Sequence, residues 1–474
     1  MASQTGATLF SRRQIAILFL FALAIRLSYI AAVVLCDGLI NNGSDSGKYL
    51  LRASNLLEHG SLVYLHFGEL IPDTGRMPVY SHFVAGVMKV FGQDSLWPIS
   101  VAQAFIDTST VFAIGLIAGA MRPGWAVPAA AITCVWASLV VFTSFVLADT
   151  LFIALFCWGL CACIWSVRSQ YPVLMLLAAG LFLSLAMLTR PILMFFPYLL
   201  WPALAYLLWS GGRVKCLRAM SLAAIPAVMI ILSVVPRIAE NYANYGVPIL
   251  TSQSGNHALD VVDQFMRACP QCILEGREDL MHAEVRTRLA QLDPDEAQNP
   301  VSVDGVRREI ALEYLKGLPL SALVRGTVQA AIRSAIQTAL YETGHQFQLN
   351  PKFLSAVSGD SLDTKLSGLA KNIASDGFLL TWAVAQTFAL IAVVLQMTGA
   401  VAGLRRRDLR PYTVFLLTVG AYFLAINGPF GNPRYAMPLT PVMIVLTTLG
   451  LMIVMEGLAN LRRSRPRRHG EPAP

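Results

Sequence analysis

Apolar stretches of membrane-spanning length, about 20 residues, recur along this chain. The joints between most of them are too short to hold a folded domain. A chain of this pattern has one solution, a bundle of helices whose backbone bonds are satisfied inside the membrane. Ten crossings are expected, near 14–36, 97–120, 125–147, 149–167, 172–189, 192–209, 218–236, 377–403, 411–428 and 437–457. The joints at Ala148 and at Arg190-Pro191 are so brief that broken or re-entrant segments are open there. Only 14% of the residues are charged and 55% are hydrophobic, against about 25% charged in soluble domains.

The net charge of +8 does not point to nucleic acid, because the cations sit where membrane topology needs them. Arg12 and Arg13 precede the first run. Arg122 and Arg168 occupy tight joints, Arg213, Lys215 and Arg218 another, and Arg405, Arg406, Arg407 and Arg410 the next. The tail carries Arg462, Arg463, Arg465, Arg467 and Arg468. Ten crossings put all of these on one side, and an excess of Lys and Arg marks the cytoplasmic side. Both termini are therefore expected inside the cell, although the basic tail also suits an anionic lipid surface. Arg26 interrupts the first run and Leu35 is too large to precede a lipoprotein cut at Cys36, so the first helix reads as retained. Arg26 is the one mid-span charge in this reading.

Two loops of real size then face outward, 37–96 and 237–376. The expected division is a membrane catalytic module at 1–236 that includes the first loop, an extracytoplasmic domain at 237–376, closing spans at 377–458 and a basic tail at 459–474. Ser46 to His59 has amphipathic helical spacing and Val79 to Phe91 reads as a second interfacial helix. In the second loop, Glu278 to Leu292, Val306 to Leu315 and Leu318 to about Leu340 are expected helices. Asp293 to Asp304 is an expected loop, and Gln348 to Ser375 the expected mobile stretch. Cys269-Pro270-Gln271-Cys272 lies in this loop, where an oxidising compartment makes a local disulfide the plain reading. A redox pair or half of a metal site is the alternative.

Chemistry is expected at the outer face. Asp45, after the first span, suits a general base acting on an acceptor hydroxyl, or a cap for the helix that follows. Arg76 in Arg76-Met77-Pro78-Val79-Tyr80-Ser81-His82 is placed to grip a phosphate. Asp149 stands between two apolar runs, a costly place for an acid and so a functional candidate, with helix capping as its alternative. Arg190, Arg237 and Arg434 end or follow spans on the same face. Each alone is a snorkelling anchor, but together they suit one anion. The histidines at 59, 66, 82, 257, 282 and 345 lack metal-ligand spacing. No cofactor is required by the sequence, and a divalent metal is left open.

The order of these elements resembles the GT-C membrane glycosyltransferases, in the branch of the protein O-mannosyltransferases, the aminoarabinose transferase of lipid A and the Rgt-type galacturonosyltransferases. The residues that carry the likeness are Asp45-Ser46-Gly47-Lys48-Tyr49, Arg76 to Tyr80 with Phe91-Gly92, Asp149-Thr150-Leu151-Phe152 and Leu188-Thr189-Arg190-Pro191. Pro236 to Asn241 with Tyr245-Gly246, and Arg434-Tyr435-Ala436-Met437-Pro438-Leu439, complete it. The chain departs from the pattern at Ser46, where many relatives have a second acid, at Glu240, where Arg is common, and at Met77, where Pro is usual. The resemblance implies a mainly α, GT-C-like transmembrane bundle and inverting transfer of a hexose or pentose from a polyprenyl-phosphate donor. It implies Asp45, with Asp149, as catalytic acids, and Lys48, Arg76, Arg190 and Arg434 on the donor phosphate. Tyr49, Tyr80, His82, Asn241 and Tyr435 are the expected substrate contacts. The partners are then the bilayer, the lipid-linked donor and a glycolipid, glycan or protein acceptor, including those of lipopolysaccharide. The expected place is a plasma membrane, the bacterial inner membrane, with the site facing the periplasm or exterior. The alternatives are a flippase for lipid-linked sugars and a non-catalytic membrane subunit.

Overall fold

The described residues are mainly helical, and among them six helices are long and apolar enough to cross a membrane: Arg12–Leu35, Trp97–Met121, Asp149–Ser166, Cys216–Tyr245, Leu380–Arg405 and Pro433–Asn460. The computed structural model describes residues 9–36, 43–211, 214–336, 338–347 and 377–464. The expected mobile stretch 348–375, Arg213 and the tail from 465 onward lie outside the described residues, as do the side chains of His345, Arg462 and Arg463.

The first helix starts on a capping box. The Ser11 hydroxyl accepts from the Gln14 amide and the Gln14 side chain accepts from the Ser11 amide. Arg26 is not the lone mid-span charge. Asp107, inside Trp97–Met121, is fully buried and takes Arg26 at 2.6 Å, and Arg26 also donates to the carbonyls of Ala22 and Cys134. A buried charge persists only when paired and hydrogen-bonded in this way. The main core runs continuously through the bundle; in it Phe152 stacks on Phe156 and Phe196 on Phe423, and Phe156 meets Phe423 edge to face.

The crossing expected at 125–147 is broken. It forms two short helices, Ala126–Cys134 and Ala137–Phe142, followed by turns to Ala148. The reason lies in polar side chains that take up the freed carbonyls, the condition for irregular backbone inside a membrane protein. Gln103 donates to Thr143 O and Phe145 O, Ser100 to Ser144 O, and Thr150 to Phe142 O. The joint at Arg190 is also irregular. Arg190 is extended, a 3-10 turn covers Pro191–Leu193, and a helix resumes over Phe196–Ser210.

The first loop contains the helices Gly43–His59 and Pro78–Phe91. Between them lies an antiparallel hairpin, Val63–His66 with Glu69–Pro72, which the turn residues alone had not suggested. Its two-residue tip places Phe67 and Gly68 at positive φ, as tight hairpins require. The region after Tyr245 packs a separate core of Leu259, Val262, Phe265, Met266, Met281, Val285 and Ile310. Its helices include Ser254–Arg267, Arg277–Ala290, Pro300–Lys316 and Leu320–Ala335. The loop expected over 293–304 is instead a short helix, Pro294–Gln298, and the start of Pro300–Lys316. Each proline sits at a helix N-terminus, where its missing amide costs nothing. At the far end of the bundle Arg122 and Arg406 both pair with Glu456, and Arg122 also with Asp408. The joints at Arg122 and Arg406 therefore share that end.

Candidate functional site

Five distant stretches of chain meet around a cavity of about 760 Å³ at the end of the bundle that carries the two large loops. The helix Gly43–His59 supplies Asp45, Lys48 and Tyr49, and the turn before Pro78 supplies Arg76. The 189–195 joint supplies Arg190, the segment 251–260 supplies Gln253, His257 and Asp260, and the segment 426–435 supplies Asn427, Arg434 and Tyr435.

Arg434 reaches the cavity because the chain turns sharply after the helix Arg410–Asn427. Gly428 takes a positive φ of 54° there. Gly431 lies so close to the helix Leu320–Ala335 that a Cβ would sit 2.9 Å from Ala330 Cα. Asp149 begins its helix after the turns at 143–148, where the helix N-terminus favours an anion.

The charges form one network. Asp45 pairs with Arg76, with Arg434 at 2.7 Å and with Lys48 at 3.7 Å. Asp149 pairs with Arg190 and with Arg434 at 3.0 Å. Arg434 thus bridges the two acids. Asp149 does not line the cavity but lies beneath it at 0% side-chain exposure, whereas Asp45 is 24% exposed. Burial by itself would raise the Asp45 carboxyl. Arg76 and Arg434, with Lys48, outweigh it and hold the group well below the usual carboxylate range. Four cations face two carboxylates, so this cluster carries surplus positive charge. The Arg76 Nε hydrogen, moreover, is buried without an acceptor among the described residues.

Tyr49 lies under Arg76, whose guanidinium carbon is 5.2 Å from the ring centre. Tyr80 stands behind it, edge to face at 4.7 Å, fully buried and donating to Gln103 Oε1 at 2.8 Å. Tyr80 therefore supports the cavity wall and does not line it. His82 is exposed and its Nδ1 meets Pro78 O, away from the lining. Asn241 is also apart from the lining, because its amide donates to Ile249 O and Leu250 O and ties that turn. Arg237, expected to meet the anion, is buried and braces the first loop. It donates to Asp73 O and to Arg76 O, while Asp73 takes Arg52 through two bonds of 2.6 and 2.8 Å. Arg237 thereby fixes the backbone on which Arg76 sits.

Sequence reasoning missed the helix Ser254–Arg267, and with it His257 and Asp260 as cavity residues. The signal was present. Leu259, Val262, Phe265 and Met266 fall on one face, and His257 and Asp260 fall together on another, three apart. Burial lowers the His257 imidazole, with Asp260 pulling it back up and Arg190 adding to the fall. Burial raises the Asp260 carboxyl against the pull of His257 and His282, and Asp45 adds to the rise. Both residues are exposed and line the cavity.

Cys269 and Cys272 form a disulfide in the core of the second loop region. Among the described residues, one group could hold a metal: Asp263, Glu278 and His282, with ligand atoms within 4.8 Å of one another. Arg267 already takes Glu278 at 2.8 Å, and His282 meets Asp263 at 3.0 Å, which accounts for the cluster as a charge network.

No protein-family model matches the chain, and no curated protein matches it. Solved structures do. The Archaeoglobus fulgidus oligosaccharyltransferase in the apo form superposes with a TM-score of 0.53 at 13% identity over 95% of this chain and 51% of its own. The same enzyme in complex with Zn and sulfate gives 0.50, 12%, 94% and 50%. ArnT from Cupriavidus metallidurans bound to undecaprenyl phosphate aligns more loosely, with 0.35, 14%, 94% and 81%. The chain spans about half the length of the oligosaccharyltransferase structures it matches. At such identity the likeness shows the fold alone, a helical fold shared with part of the oligosaccharyltransferase structure.

Proposed function

We propose that this chain is a membrane glycosyltransferase that moves a sugar from a polyprenyl-phosphate donor to an acceptor hydroxyl on the extracytoplasmic face. The observation that carries the reading is the convergence of Arg76, Arg190 and Arg434 on one cavity, although they are far apart in sequence. A cluster with surplus positive charge and a buried, unpaired guanidinium N–H suits a phosphate. Ile192, Met194 and Phe195 line the cavity beside Arg190 and suit a lipid tail.

In the mechanism we infer, the donor phosphate competes with Asp45 for Arg76 and Arg434. Binding then frees lone pairs on the Asp45 carboxylate and raises its proton affinity. Asp45 takes the proton of the acceptor hydroxyl as the acceptor oxygen bonds to the anomeric carbon. The bond from that carbon to the phosphate oxygen breaks, and polyprenyl phosphate leaves with its new charge held by the arginines. Asp149 orients Arg190 and Arg434. A single displacement inverts the anomeric centre. The region 237–376 helps choose the acceptor, whether glycolipid, glycan or protein, and the basic joints support a cytoplasmic opposite end. A transport reading would use mid-span ionisable groups; Arg26, paired with Asp107, instead braces the carbonyls of Ala22 and Cys134.

The test is purified protein in nanodiscs with a panel of polyprenyl-phosphate sugars, measuring binding and transfer. Arg76→Ala, Arg190→Ala and Arg434→Ala should each weaken donor binding by about 1.5–3 kcal/mol. Arg→Lys should fail as well, because a point charge lacks the fork. Folded Ala variants that all bind donor like wild type would reduce these cations to membrane anchors.

A further inference from the structure

The cavity contains, besides the arginine cluster, a second group of polar residues with the opposite hydrogen-bonding character. Asp260 lines it, and no Lys or Arg lies within ion-pair distance of its carboxylate among the described residues. Asn427 lines it too and is 4% exposed. Its amide nitrogen is committed to Tyr435 O at 2.6 Å, which fixes the side chain's orientation and leaves Oδ1 buried without a partner. Beside them is a flat aromatic surface. The His257 ring stacks on Phe430 at 5.4 Å and 23°, and Phe430 stacks on Tyr435 at 4.6 Å and 21°.

We propose that Asp260, Asn427 and His257 form the sugar-recognition face of the cavity and select a neutral or amino sugar over a uronic acid. This rests on the reading of the arginine cluster as the donor-phosphate site. A sugar attached to that phosphate presents hydroxyl donors, which are what an unpaired amide oxygen and a carboxylate lack. Its C–H face suits the flat rings, with Tyr435 lining the cavity. A buried acceptor left unpaired disfavours any ligand that does not donate to it, so the face discriminates as well as binds. An ammonium group would pair with Asp260. A sugar carboxylate would meet Asp260 as a like charge while the nearby guanidiniums are held by the phosphate and Asp149.

The experiment measures binding to the full chain in nanodiscs of four probes: polyprenyl phosphate without sugar, and the same lipid phosphate carrying a neutral hexose, an amino pentose or a hexuronic acid. Wild type should bind the neutral and amino donors about tenfold or more tighter than the uronic acid donor. Asp260→Asn should remove that preference and leave the sugarless lipid unchanged. Asp260→Glu should retain it. Asn427→Leu should weaken the sugar-bearing probes about tenfold and spare the sugarless one. Wild type that binds all three sugars alike or prefers the uronic acid overturns the proposal. So does an Asp260→Asn variant that loses the sugarless lipid to the same degree as the others. Failure of wild type to bind sugarless polyprenyl phosphate would instead remove the phosphate reading beneath it.

Discussion

Replacing Asp45 with Asn separates the two roles that its contacts give it. The wild-type carboxylate accepts from Arg76 and, at 2.7 Å, from Arg434. A donor phosphate must displace it from both. Each charge-assisted bond is worth about 1.5–3 kcal/mol, but Asp45 is 24% exposed, so water and Lys48 recover part of the loss. A net gain of about 1–2 kcal/mol in donor affinity is expected for Asp45→Asn, roughly 5- to 30-fold in Kd. Transfer should nevertheless fall by about 10²–10⁴-fold, roughly 3–5 kcal/mol of barrier, because Asn takes no proton. The assay is donor binding in nanodiscs, with single-turnover transfer measured separately. The sign of the pH effect follows from the depressed Asp45 carboxyl. It stays ionised in the free protein throughout the ordinary carboxylate range, and its contribution to the folded loop is present above about pH 4. That contribution is lost only as the pH falls through its lowered folded value. Donor binding should therefore move the acid limb of transfer upward in pH relative to that of the free enzyme. Weaker donor binding by Asp45→Asn would refute the competition argument, and near-normal transfer would remove Asp45 as the base.

Three further outcomes are expected. Gln103→Leu leaves the Thr143 and Phe145 carbonyls and the Tyr80 hydroxyl without their partner, and should cost about 3–5 kcal/mol by the desolvation of buried polar groups; unfolding in mixed micelles checks this, and wild-type stability would sink it. Replacing both Cys269 and Cys272 with Ser should lower stability by about 2 kcal/mol, since the closed loop is short, with little change in turnover; a large loss of transfer at unchanged stability would give the pair a chemical role. Reporter fusions near Asp293 should lie outside the cytoplasm, and a cytoplasmic signal there would place the cavity on the wrong face for an exported acceptor.

The sequence by itself determined the membrane class, most of the helices and, of the charges near the cavity, Asp45, Lys48, Arg76, Arg190 and Arg434. Apolar runs and basic joints are local patterns, and the membrane gives local patterns a single reading. The amphipathic spacing after Asp45 and the proline before Val79 likewise specify their helices without help from distant residues. Tertiary structure decided which charges meet. Arg190, Arg237 and Arg434 look alike in sequence, each near a span end. Yet Arg190 and Arg434 enter one network with Asp149, while Arg237 turns to the carbonyls of Asp73 and Arg76. That difference depends on where the first loop folds back, which no local spacing encodes. Asp107 escaped notice for the same reason, since its partner Arg26 is 81 residues away. The break at 135–136 and 143–148 depends on Gln103 and Ser100 from another helix. The resemblance implies Tyr80 and Asn241 as substrate contacts, and packing turns both toward the protein. His257 and Asp260 arrive at the cavity because the helix Ser254–Arg267 buries its apolar face against the second core. Its amphipathic pattern is written in the sequence, but the cavity its polar face meets exists only once the first loop, the 190 joint and the 434 turn have been brought together.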